Sequence, residues 1–450
     1  GRHDGVLTCY LFRNVAADQR DLAVRETYDL LRPGGWLVVQ EYSVAGNPRA
    51  RRVWDAVCLG VIIPLGILVD PKTSEKLLLK AAECTKAGHG YPAWFNNQMI
   101  INHMLMNHRE EGVTLEDARD VAMGGCVESQ MQGTCHGICH PAFFNEVKVL
   151  EVVLNDGVDP RTGKRVYPSL GPIDSWEKLW NAWCEVEEKF ARVYVRYWNY
   201  VYEIKRQTNP LIFGSVLVKD CVEKGRPLEY GGARYNRSVT LLNSGMVNVA
   251  NSLAAIKKLV FDEKKYTLDE LKEALANNWG FERGDKKGIF SMLQQKRVNP
   301  TWARMHRDFL DAPKFGNDDD YVDQIFVDLW HHYNNTLYEE TTYLGHPWIP
   351  AALSISAHAP FGRVCGATPD GRLAGVTLTD GILSATPGTD VNGPIALMAS
   401  GVKLDPTPMR SVQLNMKLHP NAVKRAEGTR NLASLITSYF GRGGYHVQFN

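Results

Sequence analysis

Two unlike patterns meet near residue 66, and no single regular architecture accommodates both. Before that point, "DGVLTCYLFRNV" (4–15) reads as an apolar strand and "DQRDLAVRETYDLL" (18–31) carries helical spacing. "RPGG" (32–35) supplies a helix stop and "WLVVQEYS" (36–43) reads as a second buried strand. After it, the chain turns to long capped helices, short strands and glycine-punctuated loops. "TSEKLLLKAAECTKA" (73–87) opens with the residues that cap a helix. "SWEKLWNAWCEVEEKFARVYVRYWNYVYEIKRQ" (175–207) predicts one very long amphipathic helix, with its Trp, Phe and Tyr in the core. The acidic run "FGNDDDYVD" (315–323) reads as a charged loop.

The C-terminal third is punctuated differently. From Cys365 to Pro406 a Gly, Pro or Asp stands at nearly every turn. Such a backbone is ordered by side-chain caps and tight turns, and long ordered loops usually serve a site.

Charge and cysteine content narrow the function classes. Lys and Arg total 51 against 50 Asp and Glu, so nothing favours nucleic acid or an anionic membrane as partner. Nine irregularly spaced cysteines without a leader segment point to free thiols in the cytoplasm. The longest apolar run, "VCLGVIIPLGILV" (57–69), is too short to span a bilayer and contains Pro64. A small substrate fits this composition better.

The densest chemistry lies in "MGGCVESQMQGTCHGICH" (123–140). The spacing of Cys135, His136, Cys139 and His140 does not make a haem attachment site, and no second ligand pair for zinc is evident. No metal site is expected. "GGCVE" places Cys126 and Glu128 two apart behind Gly124 and Gly125. In extended backbone that spacing points both side chains into one cavity. An adjacent carboxylate raises a thiol's pKa, which disfavours a thiolate nucleophile and suits hydrogen-atom chemistry.

"GGCVE", "GGARYN" (231–236), "NSLAAIKKLVF" (251–261), "TPDGR" (368–372) and "VQLNMKLHPNA" (412–422) together resemble the glycyl radical enzymes of the pyruvate formate-lyase superfamily over residues 67–450. "LLRPGGWLVVQEYS" (30–43) resembles the C-terminal part of a ubiquinone/menaquinone-type S-adenosylmethionine methyltransferase over residues 1–66, without its glycine-rich cofactor turn. The fold class implied is α/β: a partial ten-stranded α/β barrel, incomplete at both ends, after a short Rossmann-like methyltransferase fragment.

By this resemblance Cys126 forms the thiyl radical that abstracts hydrogen from substrate, and Glu128 moves a proton. Pyruvate formate-lyase itself has adjacent cysteines where this chain has Cys126–Val127. That departure points to the lyase branch, and "GVTLTDGILSATPGTDVNGPIALM" (375–398) is similar to arylacetate decarboxylases and fumarate-adding synthases. The expected reaction is decarboxylation of a small arylacetate-type carboxylic acid. Radical dehydration, C–N or C–S cleavage and fumarate addition are the alternatives, and a methyltransferase fragment or an inactive relic the readings from other classes. The resemblance also implies a homodimer and no directly bound cofactor. Its radical resides on a glycine and is installed by an iron–sulfur, adenosylmethionine-dependent activating enzyme. The Arg-Val-x-Gly-Tyr signature of that glycine does not occur in the chain, so the 450 residues are expected to be inactive alone.

Overall fold

A computed structural model describes residues 3–9, 31–40, 71–88, 92–137, 142–282 and 295–449. The chain forms two compact units, Gly1–Leu77 and Leu78–Asn450. In the first, β1 (His3–Cys9) and β2 (Leu31–Gln40) pair in parallel. The register jumps from His3↔Leu31 to Gly5↔Trp36. Leu31 and the "RPGG" segment therefore belong to an irregular part of β2, where the sequence reading had a helix ending. The helical run before Leu31 lies outside the described residues. Helix α1 (Pro71–Lys86) starts two residues ahead of the Thr73–Ser74 pair expected to cap it.

Besides a short antiparallel pair, Val158–Asp159 with Lys164–Arg165, the strands of the second unit are β3 (Trp94–Phe95), the hairpin β4 (Val121–Met123) and β5 (Ser129–Met131), then β6 (Ala142–Asn145), β7 (Thr240–Ser244), β8 (Ile349–Ala352), β9 (Asn415–Met416) and β10 (His446–Phe449). β6, β7 and β8 run parallel with β7 in the middle. The sheet continues beyond β8. Ala352 bridges Val412 in parallel, its N–H donating to Ser411 O at 2.8 Å and its carbonyl accepting from Gln413 N at 3.1 Å. The same segment becomes β9, which pairs in parallel with β10, and β10 pairs antiparallel with β3. Five consecutive parallel segments closed by one antiparallel strand are the ladder of a partial barrel.

Side-chain alternation separates the two faces of this ladder. Leu241, Ala352, Val412 and Leu414 enter the large core beneath the helices, whereas Leu242, Ala351 and Leu353 form a small cluster on the other face. The helix side holds α2 (Glu146–Leu154), α3 (Trp176–Thr208), α4 (Met246–Ile256) and α5 (Asp320–Tyr338). Ser175 caps α3, its Oγ accepting from Lys178 N at 3.2 Å, and Trp183 and Tyr202 are buried as the periodicity predicts. Tyr197 and Tyr200 are exposed, so the aromatic stripe is wider than the core it covers.

Every residue of α4 is buried, including Asn248, Asn251 and Ser252. Polar side chains inside such a helix need partners. Asn248 donates to Asp370 at 2.8 Å, Ser252 Oγ accepts from Asp370 N at 3.1 Å, and Asn251 accepts from Phe315 N at 2.7 Å. The Arg372 guanidinium reaches Val376 O at 2.6 Å. Loop 365–376 is thus ordered by side chains, as its composition predicts. The acidic run 315–323 is more than a loop: Asp319 caps α5, and Asp318, Asp320 and Asp323 surround the Lys403 ammonium at 2.7–2.9 Å.

Candidate active site

Cys126 and Glu128 lie on one loop, residues 124–128, at the tip of the β4–β5 hairpin. The antiparallel register ends at Met123↔Ser129, and Gly124 N donates to Glu128 O at 2.7 Å to close the loop. Residues 124–127 are bent rather than extended, so the two-residue alternation behind the expected shared cavity does not operate here. Cys126 is exposed, whereas Val127 and Glu128 are buried.

Val127 explains how the loop is held. It packs with Leu242, Ala351 and Leu353 on the face of the sheet opposite the helices. Burying one Val contributes on the order of 1.5–2 kcal/mol, enough to anchor a short closed loop. Glu128 turns beneath it, Oε2 accepting from Val127 N at 2.9 Å. The Cys126 thiol is pushed above its ordinary pKa, first by the protein around it and then by the charge of Glu128. It is therefore a neutral thiol at pH 7.

The hairpin is fixed to the C-terminal part of the ladder. Ser129 N and Oγ donate to Arg410 O at 3.3 and 3.0 Å, and Arg410 Nε donates back to Ser129 O at 3.0 Å. Arg410 also reaches Ser238 O, and the Tyr445 hydroxyl donates to Ser129 Oγ at 2.9 Å. Sequence reasoning missed Ser129, Arg410 and Tyr445. Their roles depend on pairings across roughly three hundred residues, and no local spacing announces them.

Of the remaining motif residues, Cys135 and His136 are buried. Cys135 donates to Met131 O at 3.1 Å, and it bridges Tyr235 of "GGARYN". His136 N donates to Tyr235 O at 2.9 Å, and burial brings the His136 imidazole down to about 4. Among the described residues no group of three or more His, Cys, Asp or Glu is placed to hold a metal, and Cys139 and His140 lie outside them. No described helix is long and apolar enough to cross a membrane.

Residues 64–362 match the pyruvate formate lyase-like family, and residues 380–450 match the glycine radical family. Nothing in these matches supports the methyltransferase resemblance of residues 1–66. The chain is 59% identical over 390 residues to the indoleacetate decarboxylase of Tractidigestivibacter scatoligenes, covering 86% of this chain and 44% of that protein. It is 39% identical over 406 residues to the 4-hydroxyphenylacetate decarboxylase glycyl radical subunit of Clostridium scatologenes, covering 86% and 45%. Among solved structures, the glycerol-bound B12-independent glycerol dehydratase of Clostridium butyricum superposes with a TM-score of 0.75 at 35% identity, covering 84% of this chain and 45% of that one. The chain thus spans a little under half the length of these relatives.

Proposed function

Since the chain belongs to the pyruvate formate lyase-like family, we propose that it is part of the catalytic barrel of a glycyl radical decarboxylase acting on an arylacetate. The observation that carries this reading is the gradient of identity. It is 59% to an indoleacetate decarboxylase and 39% to a 4-hydroxyphenylacetate decarboxylase, against 35% to a glycerol dehydratase. The surroundings of Cys126 support it.

The glycine radical match implies a glycyl radical as cofactor, which supplies an oxidant able to take a hydrogen atom from a thiol. The residues present fit that role. Cys126 stands proud of a closed loop, and Glu128 helps keep its proton on sulfur. A thiolate would have no hydrogen atom to give. Loss of CO2 from an arylacetate exchanges a carboxylate for a proton and is redox-neutral. The hydrogen atom first taken by the Cys126 sulfur returns to the product carbon at the end, and Glu128 is the proton carrier beside it. In the longer protein we propose that further chain encloses Cys126. The protein works in the cytoplasm as a homodimer, with an iron–sulfur, adenosylmethionine-dependent partner that installs the radical.

The test is anaerobic turnover by the longer enzyme containing these residues, activated by its radical-generating partner. Indoleacetate, phenylacetate and 4-hydroxyphenylacetate should yield CO2 and the methylarene. Cys126→Ser should abolish turnover, because an O–H bond is too strong for the glycyl radical to break. Glu128→Gln should retain the radical signal in paramagnetic resonance and lose most of the rate. Dehydration of a diol without release of CO2 from any arylacetate would overturn the assignment.

A further inference from the structure

Gln130 stands two positions after Glu128, and its carboxamide fills the space between two glycines. A Cβ on Gly124 would meet Gln130 Nε2 at 2.2 Å and Cδ at 2.5 Å, and a Cβ on Gly137 would meet Gln130 Oε1 at 2.7 Å. Neither glycine has positive φ. Both are therefore needed for room rather than for backbone freedom. A loosely held glutamine would swing away from an added methyl group, but here the other sides are occupied. Gly137 lies against Oε1, and Arg410 Nη2 donates to the same oxygen at 3.5 Å. Arg410 is itself locked by Ser129 O and Ser238 O.

The contacts form a continuous path. Arg410 lies within the residues that match the glycine radical family, and Gln130 within those that match the pyruvate formate lyase-like family. Gly124, pressed by Gln130, makes the hydrogen bond to Glu128 O that closes the loop around Cys126. We propose that Gln130, braced by Arg410, is a positioning residue whose carboxamide acts as a wedge setting the stance of the 124–128 loop and so the presentation of the Cys126 thiol. Its functional meaning rests on Cys126 being the reacting thiol. The mechanical statement is independent of that.

The test uses the reduced 450-residue chain and iodoacetamide, with alkylation followed peptide by peptide across a pH series. Exposed Cys84 serves as the internal control. Gln130→Ala should change the Cys126 rate at pH 8 by about fivefold, the size expected from losing one coupled contact, and leave Cys84 unchanged. Its pH midpoint should move toward that of an ordinary thiol. Gly124→Ala should also disturb Cys126 in the wild-type background, and the disturbance should largely vanish when Gln130→Ala is present, because the added methyl then has room. Should Gln130→Ala fail to fold by circular dichroism, Gln130→Ser carries the same expectation. A Cys126 rate and pH profile within twofold of wild type would overturn the wedge, as would equal harm from Gly124→Ala with and without Gln130. Turnover by a Cys126→Ser enzyme would instead refute the catalytic reading and leave the alkylation result standing.

Discussion

The Tyr445 hydroxyl donates to Ser129 Oγ at 2.9 Å, and Ser129 Oγ donates in turn to Arg410 O at 3.0 Å. Both links are buried, and they tie the hairpin carrying Cys126 to the strand that ends the parallel ladder. Buried hydrogen bonds matter most when one partner is removed and the other stays behind.

Tyr445→Phe keeps the ring in the core and deletes only the donor. The expected loss is about 1–2 kcal/mol in urea unfolding, since Ser129 Oγ loses one partner and keeps another. Alkylation of Cys126 should accelerate in the same variant. An unchanged unfolding midpoint would mean that the hairpin is held by Arg410 alone.

Buried imidazoles weaken the second unit in acid. Burial brings His103 and His446 down to about 3 and His136 to about 4. Their unfolded value is about 6.5. Between those values the unfolded chain binds more protons, so stability falls as pH falls from about 6.5 toward 3–4. Unfolding midpoints measured from pH 7 to pH 4 should drop, with these three imidazoles contributing up to about three protons to the slope. His103→Gln should flatten that slope.

Two glycines differ in what an added side chain would meet. A Cβ on Gly232 of "GGARYN" would lie 1.9 Å from Arg226 O, a backbone atom that cannot step aside, whereas a Cβ on Gly345 would meet nothing within 4 Å. Gly345→Ala should cost only the left-handed backbone strain, about 1–2 kcal/mol. Gly232→Ala should cost more than Gly345→Ala and destabilise the adjoining Tyr235–Cys135 bridge. Thermal unfolding of the two variants side by side checks the order.

How much was legible follows from where each determinant lies along the chain. The α3 helix was readable because its cap, Ser175, and its apolar rows are local. The Cys126–Glu128 loop was readable as a loop because two glycines precede it. The orientation of its side chains was not, because Val127 turns inward only in the presence of Leu242, Ala351 and Leu353, residues more than a hundred positions away. Arg410 was passed over although "VQLNMKLHPNA" begins two residues later, for its partners Ser129 and Ser238 become neighbours only once the ladder forms. The acidic stretch 315–323 misled for the same reason: Lys403 supplies the countercharge from another element.

Glu146 and Glu187 are wholly shielded from solvent, and His332 Nε2 lies 3.0 Å from Glu187 Oε2 and 3.1 Å from Cys184 O. Burial and then the Glu187 charge raise Glu146 well above its ordinary value, which favours the protonated form, and its Oε1 accepts from Asn243. Burial alone would lower His332, but the Cys184 side chain, the bond to Glu187 and the Glu187 charge outweigh that and raise it to about 10. A raised His contributes stability that is complete below its unfolded value of about 6.5 and is lost as pH rises through about 10. A raised Glu likewise loses stability as pH climbs above its unfolded value of about 4.3. Both effects make the protein weaker in alkali. Glu146→Gln keeps the acceptor for Asn243 and needs no proton, so it should match or exceed wild-type stability at pH 8–9 and flatten the alkaline decline. His332→Gln leaves Glu187 buried beside a neutral group and should cost about 3–5 kcal/mol at pH 7. Guanidinium unfolding from pH 6 to pH 10.5 distinguishes these outcomes. A Glu146→Gln variant less stable than wild type at pH 9 would show that Glu146 is ionised in the folded protein and that its carboxylate is held by a countercharge.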